Sequence, residues 1–277
     1  LDCEDGAPVG QEAEHARLVV ELANGAAQGA RVAARVHAVE HAHFQADMDI
    51  IAGGAADKLC HIMIPKVESV DDVIKAEAAL QRATDKRVPL HVLIESPAAV
   101  QQAFDIAAHP AVQSISFGLM DFVSAHGGAI PASAMTAQGQ FEHPLVVRAK
   151  LEIAAACHAH GKVPSHCVVT EFKNPDALGA CAQKASRELG YTRMWSIHPD
   201  QIRPILRAFA PAEDEVLQAA QILTSAAVQN WAPISFGGVL HDRASYRYFW
   251  QLLERAHQTG QVLPVEVQPW FAPASIR

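Results

Sequence analysis

Short β-prone runs that alternate with longer alanine-rich segments of helical spacing constrain this chain more than any other feature. A parallel sheet with helical crossovers is the arrangement that accommodates such an alternation. Residues 31–36, 59–66, 90–95, 114–118, 162–169 and 192–197 read as strands, and Leu1-Asp2-Cys3 reads as the stub of another. Helix punctuation fills the intervals. Ser69 sits at an N-cap position with Asp72 three residues on, Pro97 and Pro199 suit first helical turns, and Gly161 and Gly190 stand where helices should stop. Seven strands including the stub, each followed by a helix, predict an α/β chain of the (β/α)8 TIM-barrel type. The first strand of that barrel is expected upstream of Leu1. An open doubly wound sheet is the alternative. The barrel is preferred because no Gly-x-Gly-x-x-Gly turn follows any strand, and because polar residues are spread over many strand ends.

The organisation changes near Pro211. Residues 1–210 are expected to form the barrel, and residues 211–277 a helical extension with helices over 212–228 and 243–257. This extension is expected to act as a lid or an oligomerisation element, and its Tyr246-Arg247-Tyr248-Phe249-Trp250 run suits a buried contact.

Composition excludes several function classes. With 277 residues, 50% hydrophobic and 19% charged, the chain can bury a large core. Its 30 acidic and 22 basic residues give a formal charge of -8, so no broad cationic surface is expected for nucleic acid. No uninterrupted apolar window is long enough to span a bilayer. Five scattered cysteines without a Cys-x-x-Cys pair point to free thiols in a reducing cytoplasm.

In a parallel barrel the chemistry sits at the C-terminal strand ends, and these ends are heavily charged: Glu4 and Asp5, Arg35 and His37, Lys66 and Glu68, Glu95, Asp121, His166 and His198. Glu95 and Asp121 close adjacent strands, and two carboxylates facing one pocket suit Mg2+ that keeps waters for substrate. Helix capping is the alternative role for each. Arg35 offers a planar fork for a carboxylate, or an ion pair at the barrel bottom. Lys66 reads as a charge partner of the acids, with a Schiff-base nucleophile as the rarer role. Zinc is not supported, because His158 and His160 are two apart on a helix and the His37–His41 pair stands alone.

Together Leu1-Asp2-Cys3-Glu4-Asp5-Gly6, Ala34-Arg35-Val36-His37, Ile64-Pro65-Lys66-Val67-Glu68-Ser69, Leu93-Ile94-Glu95-Ser96, Phe117-Gly118-Leu119-Met120-Asp121 and Trp195-Ser196-Ile197-His198-Pro199-Asp200-Gln201-Ile202 resemble the citrate lyase β-subunit-like and malyl-CoA lyase family. That family lies within the magnesium-dependent 2-oxo-acid aldolase superfamily. The resemblance implies Mg2+ on Glu95 and Asp121, a substrate-gripping Arg35, and Glu4 with Asp5 beneath a metal-bound water. Lys66 and His198 are the further substrate-binding candidates. It implies cleavage of a malyl-CoA- or citryl-CoA-type thioester into a 2-oxo acid and an acyl-CoA. Gly237-Gly238-Val239-Leu240-His241-Asp242-Arg243 resembles the family's lid motif, which makes Asp242 the candidate proton carrier, with capping of the next helix as its other role. A lid acting across subunits implies a homo-oligomer, a trimer or hexamer. His37, where the family often has Asn, and Cys167-Val168-Val169-Thr170 depart from the pattern. A thioesterase of the same substrates, a pyruvate-type aldolase and a non-catalytic subunit of a lyase complex are the alternatives.

Overall fold

A computed structural model of the chain describes residues 1–272. These divide into two compact units, Leu1–Ile202 and one that begins at Arg203.

The first unit is built on a curled half-barrel sheet of six parallel strands: β1 (Val32–Arg35), β2 (Leu59–Ile64), β3 (Leu90–Ile94), β4 (Val112–Phe117), β5 (Val163–His166) and β6 (Arg193–Met194). Their order in the sheet is their order in the chain, so the winding never reverses and the doubly wound alternative is absent among the described residues. The N-terminal stub joins the free edge of β1. Asp2 bridges Arg35 in parallel, the Arg35 N–H donates to the Leu1 carbonyl at 2.9 Å, and the Cys3 N–H donates to the Arg35 carbonyl at 2.8 Å.

Strand alternation assigns two faces. Val36, Ile62, Ile64, Val92, Ile94, Ile115 and Phe117 are buried in one apolar core with residues of the surrounding helices, among them Val19 of α1 (Glu12–Asn24). The opposite face is unusually polar. His91 is buried there, with its Nδ1 2.6 Å from Ser114 Oγ and its Nε2 2.8 Å from Ser116 Oγ. Burial, with the nearby His61 and Arg193, pushes the His91 pKa down to about 3, so the imidazole bonds both serines as a neutral ring.

The crossovers carry the remaining helices. After β1 come α2 (Phe44–Asp47), a π-helical turn (Met48–Ala52) and α3 (Gly53–Ala55). Next are α4 (Val70–Ala83), α5 (Pro97–Gln101), α6 (Ala103–Ala108), α7 (Leu119–Ser124), α8 (Pro144–Ala159) and α9 (Pro175–Arg187). Pro97 opens α5 as the sequence predicts. Ser69 does not cap α4: its side chain makes no cap bond, and Asp72 Oδ2 instead accepts from the Glu68 N–H at 3.0 Å. The strands expected over 162–169 and 192–197 are shorter than their apolar runs suggest. Cys167 and Val169 are buried without strand pairing, so apolarity there reflects packing of a loop.

α10 (Pro199–Phe209) runs across the boundary between the units. The second unit pairs α11 (Glu213–Val228) with α12 (Arg243–Gln258) around the antiparallel hairpin β7 (Ile234–Phe236) and β8 (Val239–His241). Val216, Ile222, Leu223, Tyr246, Leu253 and Val267 form its own core.

Ser96 links fold to site. Its Oγ accepts from the Ala99 N–H at 3.0 Å to cap α5 and donates to Glu68 Oε2 at 2.6 Å. Ser96→Ala is expected to cost about 1 kcal/mol, the usual value of an N-cap, read as a lowered urea midpoint with an unchanged slope.

Candidate active site

The C-terminal strand ends bring together a run of alternating charges. Arg35 closes β1, and its Nε and Nη2 donate to Asp2 Oδ1 at 2.7 Å and Asp2 Oδ2 at 2.6 Å. Its third nitrogen, Nη1, lies 2.7 Å from Glu4 Oε2, and the other Glu4 oxygen lies 2.7 Å from Lys66 Nζ. Asp5 stands at the exposed rim, 3.7 Å from Lys66 Nζ. The Trp195 ring lies under the Arg35 guanidinium, 5.3 Å from ring centroid to Cζ. Arg35 is therefore an ion-pairing group at the catalytic end of its strand, and the barrel-bottom reading does not hold. Burial alone would raise the Asp2 pKa, but the Arg35 bonds and charge, with the Glu4 and Gly6 N–H groups, outweigh it and hold the carboxyl below its usual range. Each Glu4 oxygen faces one cation at 2.7 Å and keeps a further lone pair with which to accept.

Lys66 reaches this network through a left-handed backbone (φ 52°), uncommon for a side chain with a Cβ. That turn aims its N–H at Glu95 Oε1, 2.7 Å away. Burial opposes the Lys66 charge, but Glu4, Asp5 and Asp121 overcome it and raise the pKa, so the amine is a fixed ammonium and the Schiff-base role does not fit.

Glu95 is buried at the end of β3 and Asp121 lies in the first turn of α7. Neither caps a helix by a side-chain bond: Ser96 takes that place for α5, and Gly118 precedes α7. Burial first, then the Asp121 charge, pushes the Glu95 pKa up to about 8 against the lowering effect of the Lys66 N–H bond. A buried carboxylate whose proton affinity is raised by burial and by the neighbouring Asp121, with no N–H donor on its second oxygen among the described residues, forms with Asp121 a donor set suited to a hard divalent cation. No cluster of three His, Cys, Asp or Glu residues among the described residues completes a cage, so waters and substrate oxygens would fill the other positions. Gly118 makes room for this arrangement, since a Cβ there would collide with the Glu95 side chain.

The remaining candidates make other contacts, and Asp242 belongs to the second unit. His198 stacks on Phe172 with ring centroids 5.2 Å apart and sits 3.5 Å from Asp200. Asp242 caps α12: its Oδ1 accepts from the Ala244 N–H at 2.9 Å and the Ser245 N–H at 3.4 Å. His37 gives its Nδ1 to the buried Asp47 at 2.6 Å and stacks on His41 at 4.3 Å. Asp2 is the residue that sequence reasoning missed. Its signal was present, because Asp2 and Glu4 alternate onto one face of the stub beside Arg35.

Comparison with known proteins identifies an enzyme of the aldolase and lyase class. The chain belongs to the HpcH/HpaI aldolase/citrate lyase family, whose model matches residues 1–199. It is similar to the L-malyl-CoA/β-methylmalyl-CoA lyase of Cereibacter sphaeroides, with 31% identity over 241 residues, 81% of this chain and 75% of the relative. A citrate lyase from Burkholderia xenovorans LB400 has a similar structure: 48% identity and a TM-score of 0.87, over 97% of this chain and 86% of that one. The citrate lyase β subunit of M. tuberculosis, complexed with oxaloacetate and magnesium, has 25% identity and a TM-score of 0.63, over 76% of this chain and 86% of that one.

Two outcomes are expected. In metal-free protein, a raised Glu95 pKa means that the folded state binds the more tightly held proton. Stability is therefore full below the usual glutamate range and declines as pH rises towards about 8. Urea titrations in EDTA between pH 5 and 8 should show this fall, at most about 1.4 kcal/mol per pH unit, and Glu95→Gln should flatten it. Gly118→Ala should cost about 1–3 kcal/mol by overpacking, and a Glu95→Ala background should recover only part of it, because alanine keeps the Cβ that the added methyl also meets.

Proposed function

We propose that this protein is a Mg2+-dependent carbon–carbon lyase that cleaves a malyl-CoA- or citryl-CoA-type thioester into a 2-oxo acid and an acyl-CoA. The observation that carries this reading is the buried Glu95 beside Asp121 at the end of the Asp2–Arg35–Glu4–Lys66 run of charges.

Glu95 and Asp121 would hold the ion. When bound, Mg2+ supplies charge neutralisation for the acid's carboxylate and polarisation of its neighbouring oxygen. The protein's own residues do the rest. Arg35, held in one orientation by Asp2, steadies the oxygen as its hydroxyl proton passes to water at the site; the electron pair of the breaking carbon–carbon bond goes to the thioester enolate while the 2-oxo group forms. Glu4 and Asp5 accept from water at the site, and the buried Glu4 oxygens have the capacity to do so. Lys66 balances these acids and lies beside the incoming carboxylate. His198 extends the acid-binding side. Asp242 is assigned the proton at the thioester α-carbon: its cap bonds engage Oδ1 and leave Oδ2 to act, and the resemblance of Gly237–Arg243 to the family lid supports the choice.

This reading includes closure of the sheet into a (β/α)8 barrel, a lid formed by residues 211–277, and a homo-oligomer in which the lid serves a neighbouring subunit. A cytoplasmic setting fits the five unpaired thiols, and no helix among the described residues is long and apolar enough to cross a membrane.

The test is turnover of malyl-CoA and citryl-CoA with and without Mg2+, following 2-oxo acid and free CoA separately. Release of glyoxylate or oxaloacetate with intact acyl-CoA supports the proposal. Release of free CoA without 2-oxo acid makes the protein a thioesterase. Silence on both overturns it and brings pyruvate aldol chemistry or a non-catalytic subunit forward. Arg35→Ala should lower kcat by about 10^2–10^3-fold, the value of one oxyanion donor, while Mg2+ binding by calorimetry persists. Asp2→Asn should produce a smaller loss in kcat, since it frees the fork without removing it.

A further inference from the structure

A second site is suggested at the opposite end of the first unit. The cleft has a volume of about 520 Å3 and lies between α4 and the segments that enter β3, β4 and β5. Its apolar surface comes from Pro89, Pro110 and Ala111, which lie over the buried Leu80, Val88 and Val112. Three of its six polar side chains are cationic. Lys86, Arg87 and Lys162 line it against one carboxylate, Glu77, in a chain whose formal charge is -8. A local excess of cations on an acidic protein creates a positive potential that attracts anions.

The bonding of these cations leaves capacity for a ligand. Arg87 makes no hydrogen bond or ion pair among the described residues. Lys162 Nζ donates to the His109 carbonyl at 3.1 Å and has two further N–H groups. Lys86 pairs with Asp57 at 3.2 Å, and Glu77 faces His109 at 3.9 Å, so the one acid in the lining is itself partly matched. The Gln81 and Gln113 amides have no partner among the described residues. An enclosed apolar floor with a few converging polar groups, in this size range, is the usual make-up of a small-molecule site.

We propose that this cleft binds an anionic metabolite that carries a phosphate or carboxylate on an apolar or planar body, independently of the chemistry assigned to the strand-end site. The oxyanion group lies against Arg87, Lys86 and Lys162, and the body rests on Pro89, Pro110 and Ala111. A ligand so placed bridges three successive αβ connections and braces β3, which ends one residue before Glu95, and β4, which ends four residues before Asp121.

Isothermal calorimetry of the full chain with AMP, benzoate and inorganic phosphate tests the assignment. AMP or benzoate is expected to bind with millimolar or lower Kd. The Lys86→Ala/Arg87→Ala double variant, whose changes are at exposed positions, should weaken that binding by tenfold or more and retain wild-type turnover. Glu95→Gln should leave the binding unchanged. Whichever of AMP and benzoate binds identifies the oxyanion source. No binding of either below 10 mM overturns the proposal, as does binding that the double variant leaves unchanged. Phosphate binding as tightly as the larger probes would also overturn it, because the apolar floor would then contribute nothing.

Discussion

The Arg35 guanidinium is the interaction around which the site is organised. Two of its nitrogens bond Asp2 and the third faces Glu4, so its plane and direction are fixed before any substrate arrives. Glu4 passes the constraint to Lys66, and the Lys66 backbone passes it to Glu95. Each cation lies between acids, and Asp2, Glu4 and Asp5 share Arg35 and Lys66. Glu95 and Asp121 make no ion pair among the described residues, and burial beside Asp121 raises the proton affinity of Glu95, so a bound cation there would take the place of a proton. The electrostatic asymmetry of the site follows from the order of charges along the strand ends.

That order depends on the fold in a simple way. Parallel strands in chain order place every C-terminal end on the same side, so residues from Asp2 to Asp121 reach one region. The polar interior face beneath it, with His91 between Ser114 and Ser116, is satisfied by neutral hydrogen bonds and adds no competing carboxylate. Charge and hydrogen bonding are separated by level along the strands.

Much of this was legible in the sequence. The strand runs announced themselves by apolar content, and Glu4, Arg35, Lys66, Glu95 and Asp121 were identified because charged residues at successive strand ends are costly unless paired. Asp2 was overlooked because it sits inside the stub. Its pairing with Arg35 depends on parallel register, which is set between strands and written in neither alone. The lengths of β5 and β6 were overread, since Cys167 and Val169 are buried by packing without a strand partner. Ser69 looked like a cap, but Asp72 closes the loop before α4. Capping by Asp242 was one of two sequence readings, because an acid before a helix start satisfies a local rule whatever else it does.

The left-handed Lys66 imposes two unlike demands on one position. Its backbone suits glycine or asparagine, whereas its side chain answers to Glu4. In a library randomised at this codon, selection for folding alone would enrich the residues that relax the turn, and selection for turnover would return lysine. The divergence between the two enriched populations would measure how much conformational strain the lineage has retained to keep an ammonium beside Glu4.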